Sequence, residues 1–176
     1  MKVIEGIYLL LGSNLGNRAE NLQNAQKYLG EQAGSIVAAS SIYETEAWGF
    51  SDQPLFYNQV LQIDTQLGHE ALLKVLLAIE KKIGKVKVGK WRERLIDIDL
   101  LYYDNRLVRT PQLTLPHPEI QNRRFTLAPL VELIPDEMHP MLLRTQRQLL
   151  ESTPDQLEVW KAEEQGVRGE GLRAER

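Results

Sequence analysis

The sequence predicts an α+β domain. Its core is a ferredoxin-like βαββαβ unit, an antiparallel sheet with helices packed on one face, followed by an extra C-terminal helical segment. Three observations predict it. Strand-like apolar runs lie near residues 3–11, 36–45, 56–65 and 95–103. Two segments between them repeat their apolar residues at helical spacing, and turn formers mark the joins. The order strand, helix, strand, strand, helix, strand is the split βαβ plan, which hosts many activities and decides none.

Val3 to Leu11 is rich in Ile and Leu and predicts a buried strand, ending at the turn formers of GSNLGN, residues 12–17. Asn17 can cap a helix, with Glu20 three residues on in the capping-box position. Leu22, Ala25, Leu29 and Ala33 form the apolar stripe of that helix. Ile36 to Thr45 predicts a second strand, and Trp48 to Pro54 a loop. Phe56 to Thr65 alternates with period two. Phe56, Asn58, Val60 and Gln62 fall on one face; Tyr57, Gln59, Leu61 and Ile63 fall on the other.

A second helix is expected from about Glu70 to Ile83, with Leu72, Leu76, Ile79 and Ile83 on its apolar side. Lys81 and Lys82 suit the negative end of its dipole, and Gly84 is a natural stop. Residues 85–94 predict a basic loop. Leu95 to Tyr103 is the clearest strand, and Asp104-Asn105 turns it toward a short partner near Leu107-Val108. Pro111, Pro116 and Pro118 keep the next stretch irregular. Helices are expected at Arg124–Leu133, near Leu142–Leu150, and briefly around Leu157 to Ala162, before a charged, disordered tail. One domain is expected over residues 1–151, with 152–176 as an appended segment.

Composition narrows the function. The chain has 176 residues, 43% of them hydrophobic, and a formal net charge of −3. A polyanion therefore has to be held by a local cation cluster, not by the field of the whole molecule. Absence of cysteine excludes disulfides, thiolate catalysis and Cys-ligated zinc. There is no secretory pattern at the start and no apolar run near the roughly 20 residues needed to span a bilayer. A cytoplasmic enzyme without a membrane partner is the expectation.

The chemistry concentrates in three blocks. In RLIDIDLL, residues 94–101, strand alternation sets Asp97 and Asp99 on one face and Ile96, Ile98 and Leu100 on the other. Two adjacent carboxylates repel unless a cation lies between them, and magnesium typically takes one or two carboxylates plus substrate phosphates. In KVKVGKWRERL, residues 85–95, Lys85, Lys87, Lys90, Arg92 and Arg94 crowd beside the aspartates. In LTLPHPEIQNRRF, residues 113–125, His117, Arg123 and Arg124 add donors for phosphate oxygens. Each block alone has a plain alternative: a solvated D-x-D, a solvated basic loop, a rigid loop histidine. The GSNLGN loop lacks the Walker lysine and spacing, so it has only a supporting role. RNA binding fits less well, since the RNP aromatic pattern is missing and paired aspartates repel phosphates.

RLIDIDLL followed by LTLPHPEIQNRRF resembles the signature of the 6-hydroxymethyl-7,8-dihydropterin pyrophosphokinases of folate biosynthesis. YLLLGSNLGNR, SSIYETEAWG and DQPLFYNQV add to it, and the likeness runs from about Ile7 to about Pro140. The resemblance implies an ATP-dependent diphosphokinase that moves pyrophosphate from ATP to the pterin hydroxymethyl group and releases AMP. Asp97 and Asp99 match the family's ligands for two Mg2+ ions. Arg94 and Arg123 match arginines at the phosphates, and His117 joins them. Thr114 and the backbone of Ile98 match contacts to the nucleotide, and Glu80 an acidic neighbour of it. Phe56 and Phe125 match the rings that sandwich the pterin; the residues alone fit core packing better. Asn58 and Thr45 match polar contacts to that ring, and Trp91 a tryptophan on a mobile loop.

The family pattern is broken at three places. Glu46-Ala47-Trp48 stands where a proline-rich stretch is common. Lys85 and Lys87 stand for loop arginines, without the planar two-pronged contact. Gln112 stands for an arginine on the nucleotide side. The expected partners are ATP and the pterin, with no nucleic acid, in a monomer or weak homodimer.

Overall fold

A computed structural model describes residues 2–46, 55–88 and 91–162, with 85–88 and 91–94 as backbone. In chain order its elements are β1 (Ile7–Ser13), α1 (Arg18–Gln32), β2 (Gly34–Ala39), β3 (Tyr43–Thr45), β4 (Phe56–Thr65) and α2 (His69–Ile83). There follow β5 (Lys85–Val88), β6 (Trp91–Arg94), β7 (Asp97–Tyr103), β8 (Val108–Arg109), β9 (Thr114–Leu115), α3 (Arg124–Leu133), α4 (Gln146–Ser152) and β10 (Val159–Lys161). The main sheet is antiparallel, in the order β10-β3-β4-β1-β7, with β2 also paired to β4. The fold is thus α+β, as expected.

β1 is an interior strand, between β4 and β7, and all its residues are buried. Odd-numbered Ile7, Leu9 and Leu11 meet Leu22, Ala25 and Leu29 of α1 and Leu72, Leu76 and Ile79 of α2. Ile96, Ile98 and Leu100 fill the same core layer. Each such side chain contributes roughly 1.5–3 kcal/mol by leaving water. Asn17 caps α1, its side-chain oxygen accepting the amide hydrogen of Glu20 at 3.1 Å. Gly84 closes α2 at φ +130°, a conformation that L side chains rarely adopt.

The opposite face is covered as well, by elements the βαββαβ core does not include. Even-numbered Tyr8 and Leu10 pack with Val60, Leu101 and Tyr102 against Leu127 and Leu130 of α3 and Leu149 of α4. β7 feeds both layers by alternation, and its pairing with β1 slips: Tyr102 lies opposite Tyr8 but Leu100 opposite Leu9. The extra residue, Leu101, makes a bulge, so Leu101 and Tyr102 both join the second layer.

Several sequence expectations are corrected. The single strand over 36–45 is two strands, β2 and β3, both paired to β4. The basic loop is a hairpin, with Lys85 opposite Arg94 and Lys87 opposite Arg92; its Lys-Val-Lys-Val alternation is a strand pattern that its charges obscure. Val108 pairs with Leu115 of β9 rather than with the strand before it. The fourth helix starts late, at Gln146, where Thr145 and Gln148 form a reciprocal capping box. The expected helix around Leu157 to Ala162 is β10, whose β-forming Val159 and Trp160 complete the free edge of β3. The tail expected beyond it, and the expected loop from Trp48 to Pro54, lie outside the described residues. Among the described residues no helix is long and apolar enough to cross a membrane.

Candidate active site

Where α3 and α4 stop covering the second face, the sheet opens into a pocket of about 270 Å³. Its floor follows from register. Gly12 lies opposite Asn58 of β4 on one side and Asp97 of β7 on the other. Phe56 and Asn58 share a strand face, as do Asp97 and Asp99, and all four line the pocket. Thr45 and Glu46 form one wall, and Arg123 and Phe125, at the start of α3, form another.

Gly12 is needed for close approach. A Cβ there would lie 2.9 Å from Nδ2 of Asn58 and 3.9 Å from the Phe56 ring. Asn58 is 3% exposed, and its Oδ1 is buried with no hydrogen-bond partner among the described residues. Such an acceptor costs about 1–3 kcal/mol unless a donor meets it, so it fits a ligand carrying an N–H. The guanidinium carbon of Arg123 lies 5.7 Å from the centroid of the Phe125 ring.

A second cavity, of about 290 Å³, runs along the outer edge of β7. It gathers Glu80, Ile98, Gln112, Thr114 and His117, which the sequence scatters over 38 positions, from 80 to 117. Glu80 is 4% exposed, and its Oε2 accepts the amide hydrogen of Ile98 at 2.7 Å. The amide of His117 donates to the carbonyl of Leu101 at 2.9 Å, which fixes the Pro116–Pro118 stretch onto β7. Nδ1 of His117 accepts the Glu119 amide at 3.1 Å, so the neutral ring carries its proton on Nε2. Burial holds the His117 pKa below the usual histidine value; Asp99 and Glu119 pull it up, and Arg123 pushes it further down. Asp99 lines both cavities.

Supporting contacts set the start of β7. Ser13 donates to the carbonyl of Leu95 at 2.6 Å, and Asn21 donates to Ser13 at 3.0 Å and to the Leu15 carbonyl at 2.9 Å. The GSNLGN segment therefore holds the residue two positions before Asp97, and the strand runs through Ser13 instead of ending at Leu11. Arg94 and Trp91 belong to β6, and Lys85 and Lys87 to β5, the hairpin that leads into β7. Gly12, Leu10 and Glu46 are pocket residues that the sequence reading did not single out. Gly12 stands among the turn formers of GSNLGN, and only its register with Asn58 and Asp97 sets it apart.

Residues 8–135 match the sequence model of the family described as 7,8-dihydro-6-hydroxymethylpterin-pyrophosphokinase (HPPK). The chain belongs to this family. Among the curated HPPK relatives, the 2-amino-4-hydroxy-6-hydroxymethyldihydropteridine pyrophosphokinase of Methylorubrum extorquens is 43% identical over 73% of this chain and 82% of its own length. That of Aquifex aeolicus is 40% identical over 77% and 84%. The folic acid synthesis protein fol1 of Pneumocystis carinii is 38% identical over 78% of this chain, which spans only 18% of that protein. Among solved structures, an HPPK-DHPS in complex with substrates has a TM-score of 0.66 at 16% identity, over 85% of this chain and 43% of that one. The wild-type HPPK-DHPS of Plasmodium falciparum has a TM-score of 0.63 at 17% identity, over 84% and 43%. These two share the HPPK fold, and this chain spans less than half of each.

Proposed function

We propose that this chain transfers the β,γ-diphosphate of ATP to 6-hydroxymethyl-7,8-dihydropterin, with the pterin in the Phe56–Phe125 pocket and ATP along the β7 groove. The observation that carries this reading is that Asp99 lines both cavities. Two substrates that fill them meet at the carboxylate pair.

The pocket suits a flat heteroaromatic ring. Phe56 and Phe125 offer ring faces, and Asn58 Oδ1 offers an acceptor for an exocyclic amine or ring N–H. Thr45 and its backbone border the same ring. In the groove, Thr114 and the backbone of Ile98 border the nucleotide, and Glu80 keeps that backbone in place. Nε2–H of His117 and the guanidinium of Arg123 suit phosphate oxygens. Arg94, Trp91, Lys85 and Lys87 belong to the hairpin that leads into β7, and we assign them to the phosphates from there.

Asp97 and Asp99 are the groups that would hold magnesium, two ions in all. The donor set fits. Among the described residues no third carboxylate or imidazole completes a metal cage, so phosphate and water oxygens would fill the coordination shell, as Mg2+ prefers. Held by Asp97 and Asp99, magnesium would neutralise phosphate charge and orient the transfer. The hydroxymethyl oxygen attacks the β-phosphorus and gives up its proton to water, the bond from that phosphorus to the α,β-bridging oxygen breaks, and AMP leaves. Arg123 and Arg94 stabilise the charge that spreads over the phosphates.

The test is the nucleotide product. AMP and pterin diphosphate are expected in equal amounts, dependent on both magnesium and pterin. ADP as the main product would overturn pyrophosphoryl transfer.

A further inference from the structure

We infer that the C-terminal strap, residues 153–162, sets the spacing of the pterin pocket, with Asp155 as its positioning residue. The inference rests on the pterin reading of the pocket. It concerns a segment beyond residues 8–135, where the family match lies.

The strap is tied to both jaws. At one jaw, Oδ2 of Asp155 accepts the backbone amide hydrogen of Arg124 at 2.8 Å. Arg124 is the first residue of α3, between Arg123 and Phe125, and the N-cap of that helix has no side-chain cap of its own. The carboxylate therefore supplies, from 31 residues away, the cap the local sequence lacks. Oδ1 of Asp155 accepts the amide of Leu157 at 3.0 Å, so the carboxylate also shapes the strap. The residue is 7% exposed, which strengthens a charge-assisted bond.

At the other jaw, the hydroxyl of Thr45 donates to the carbonyl of Glu158 at 3.0 Å. Val159 pairs with Thr45 and Lys161 with Tyr43, and the amide of Ala162 donates to the carbonyl of Ile42 at 2.8 Å. Thr45 in turn pairs with Phe56. One short segment thus runs from the backbone carrying Phe125 to the strand paired with Phe56. Loss of its hold on Arg124 frees the start of α3 to shift Phe125, which weakens pterin binding, and Arg123, which acts on charge developing in transfer and so lowers kcat, while β7 and its groove keep their own supports, Glu80 and Ser13.

Asp155→Ala and Asp155→Asn are compared with the parent protein for the KM of each substrate, kcat and melting temperature. Asp155→Ala is expected to raise the pterin KM about tenfold, in line with the loss of a cap, and to leave the ATP KM within about twofold. Asp155→Asn keeps an oxygen for the Arg124 amide and is expected to recover most of that loss. If the alanine variant fails to fold, a two- to threefold rise in pterin KM for Asp155→Asn, roughly what loss of charge alone costs, carries the same result. A lower melting temperature with an unchanged pterin KM would overturn the inference, as would equal rises for both substrates. Phe125→Ala measured alongside separates the layers. If it too leaves the pterin KM unchanged, the pocket reading itself fails; if it raises the KM and Asp155→Ala does not, only the strap inference fails.

Discussion

The carboxylate of Glu80 on α2 holds the backbone amide of Ile98 on the edge strand, at 2.7 Å and 4% exposure. A hydrogen bond to a buried charge is worth about 1.5–3 kcal/mol, and this one joins a helix to the strand that carries both aspartates. Glu80→Ala is expected to lower stability by about that amount and to weaken ATP binding more than pterin binding. Calorimetric titration with each ligand checks the second half. Equal losses for both would mean that Glu80 supports the fold without shaping the groove.

Asp97 and Asp99 lie on the pocket face of β7, while Ile96, Ile98 and Leu100 fill the core behind it. Asp97→Ala or Asp99→Ala should therefore lower kcat by roughly 10²–10³ or more, as loss of a main electrostatic element does, while the fold stays intact. Near-normal turnover in magnesium by either variant would refute the metal role.

Gly12→Ala tests the pocket floor. The strand backbone there accepts alanine, but the new Cβ would lie 2.9 Å from the Asn58 amide nitrogen. Asn58 is buried and gives way only by leaving its place. The pterin KM should rise about tenfold, a shift of about 1.4 kcal/mol, with ATP binding little changed. A variant with the parent's pterin KM would show that Asn58 does not touch the ring.

The residues that sequence rules reach are those with short-range causes. The period-two run Phe56–Thr65 and the helix Arg124–Leu133 have the bounds their pattern implies. The D-I-D alternation alone sets two carboxylates on one face. What escaped depends on distant partners. Gly12 sits among turn formers, and only its register with Asn58 and Asp97 makes it a floor. Glu80, which the family resemblance alone singles out, is by pattern an ordinary helix carboxylate until Ile98 is beside it. β10 is a strand because β3 offers an edge, and Asp155 caps a helix 31 residues earlier in the chain. The cover over the second face likewise needs the Leu101 bulge, which no periodicity announces.

His139 gives a pH dependence outside the site. It is 4% exposed, its Nδ1 accepts the amides of Met141 and Leu142 at 3.1 Å each, and Tyr102 meets its ring edge-on at 5.7 Å. Burial pushes its pKa down to about 4, against 6.5 for an ordinary histidine. Above pH 6.5 both the folded and the unfolded chain carry it neutral, so it adds no slope. Between 6.5 and about 4 the unfolded chain takes up a proton that the folded one refuses, so stability falls as the pH falls. Below about 4 both are protonated and the loss from this group is complete. Asn at this position keeps a side-chain oxygen for the turn amides and does not titrate. Urea unfolding at pH 7, 6 and 5 should therefore show a shallower loss of stability for His139→Asn than for the parent. The carboxylates and His117 contribute equally to both proteins and cancel in the difference. Parallel curves would mean that His139 takes up its proton in the folded state as readily as in the unfolded one.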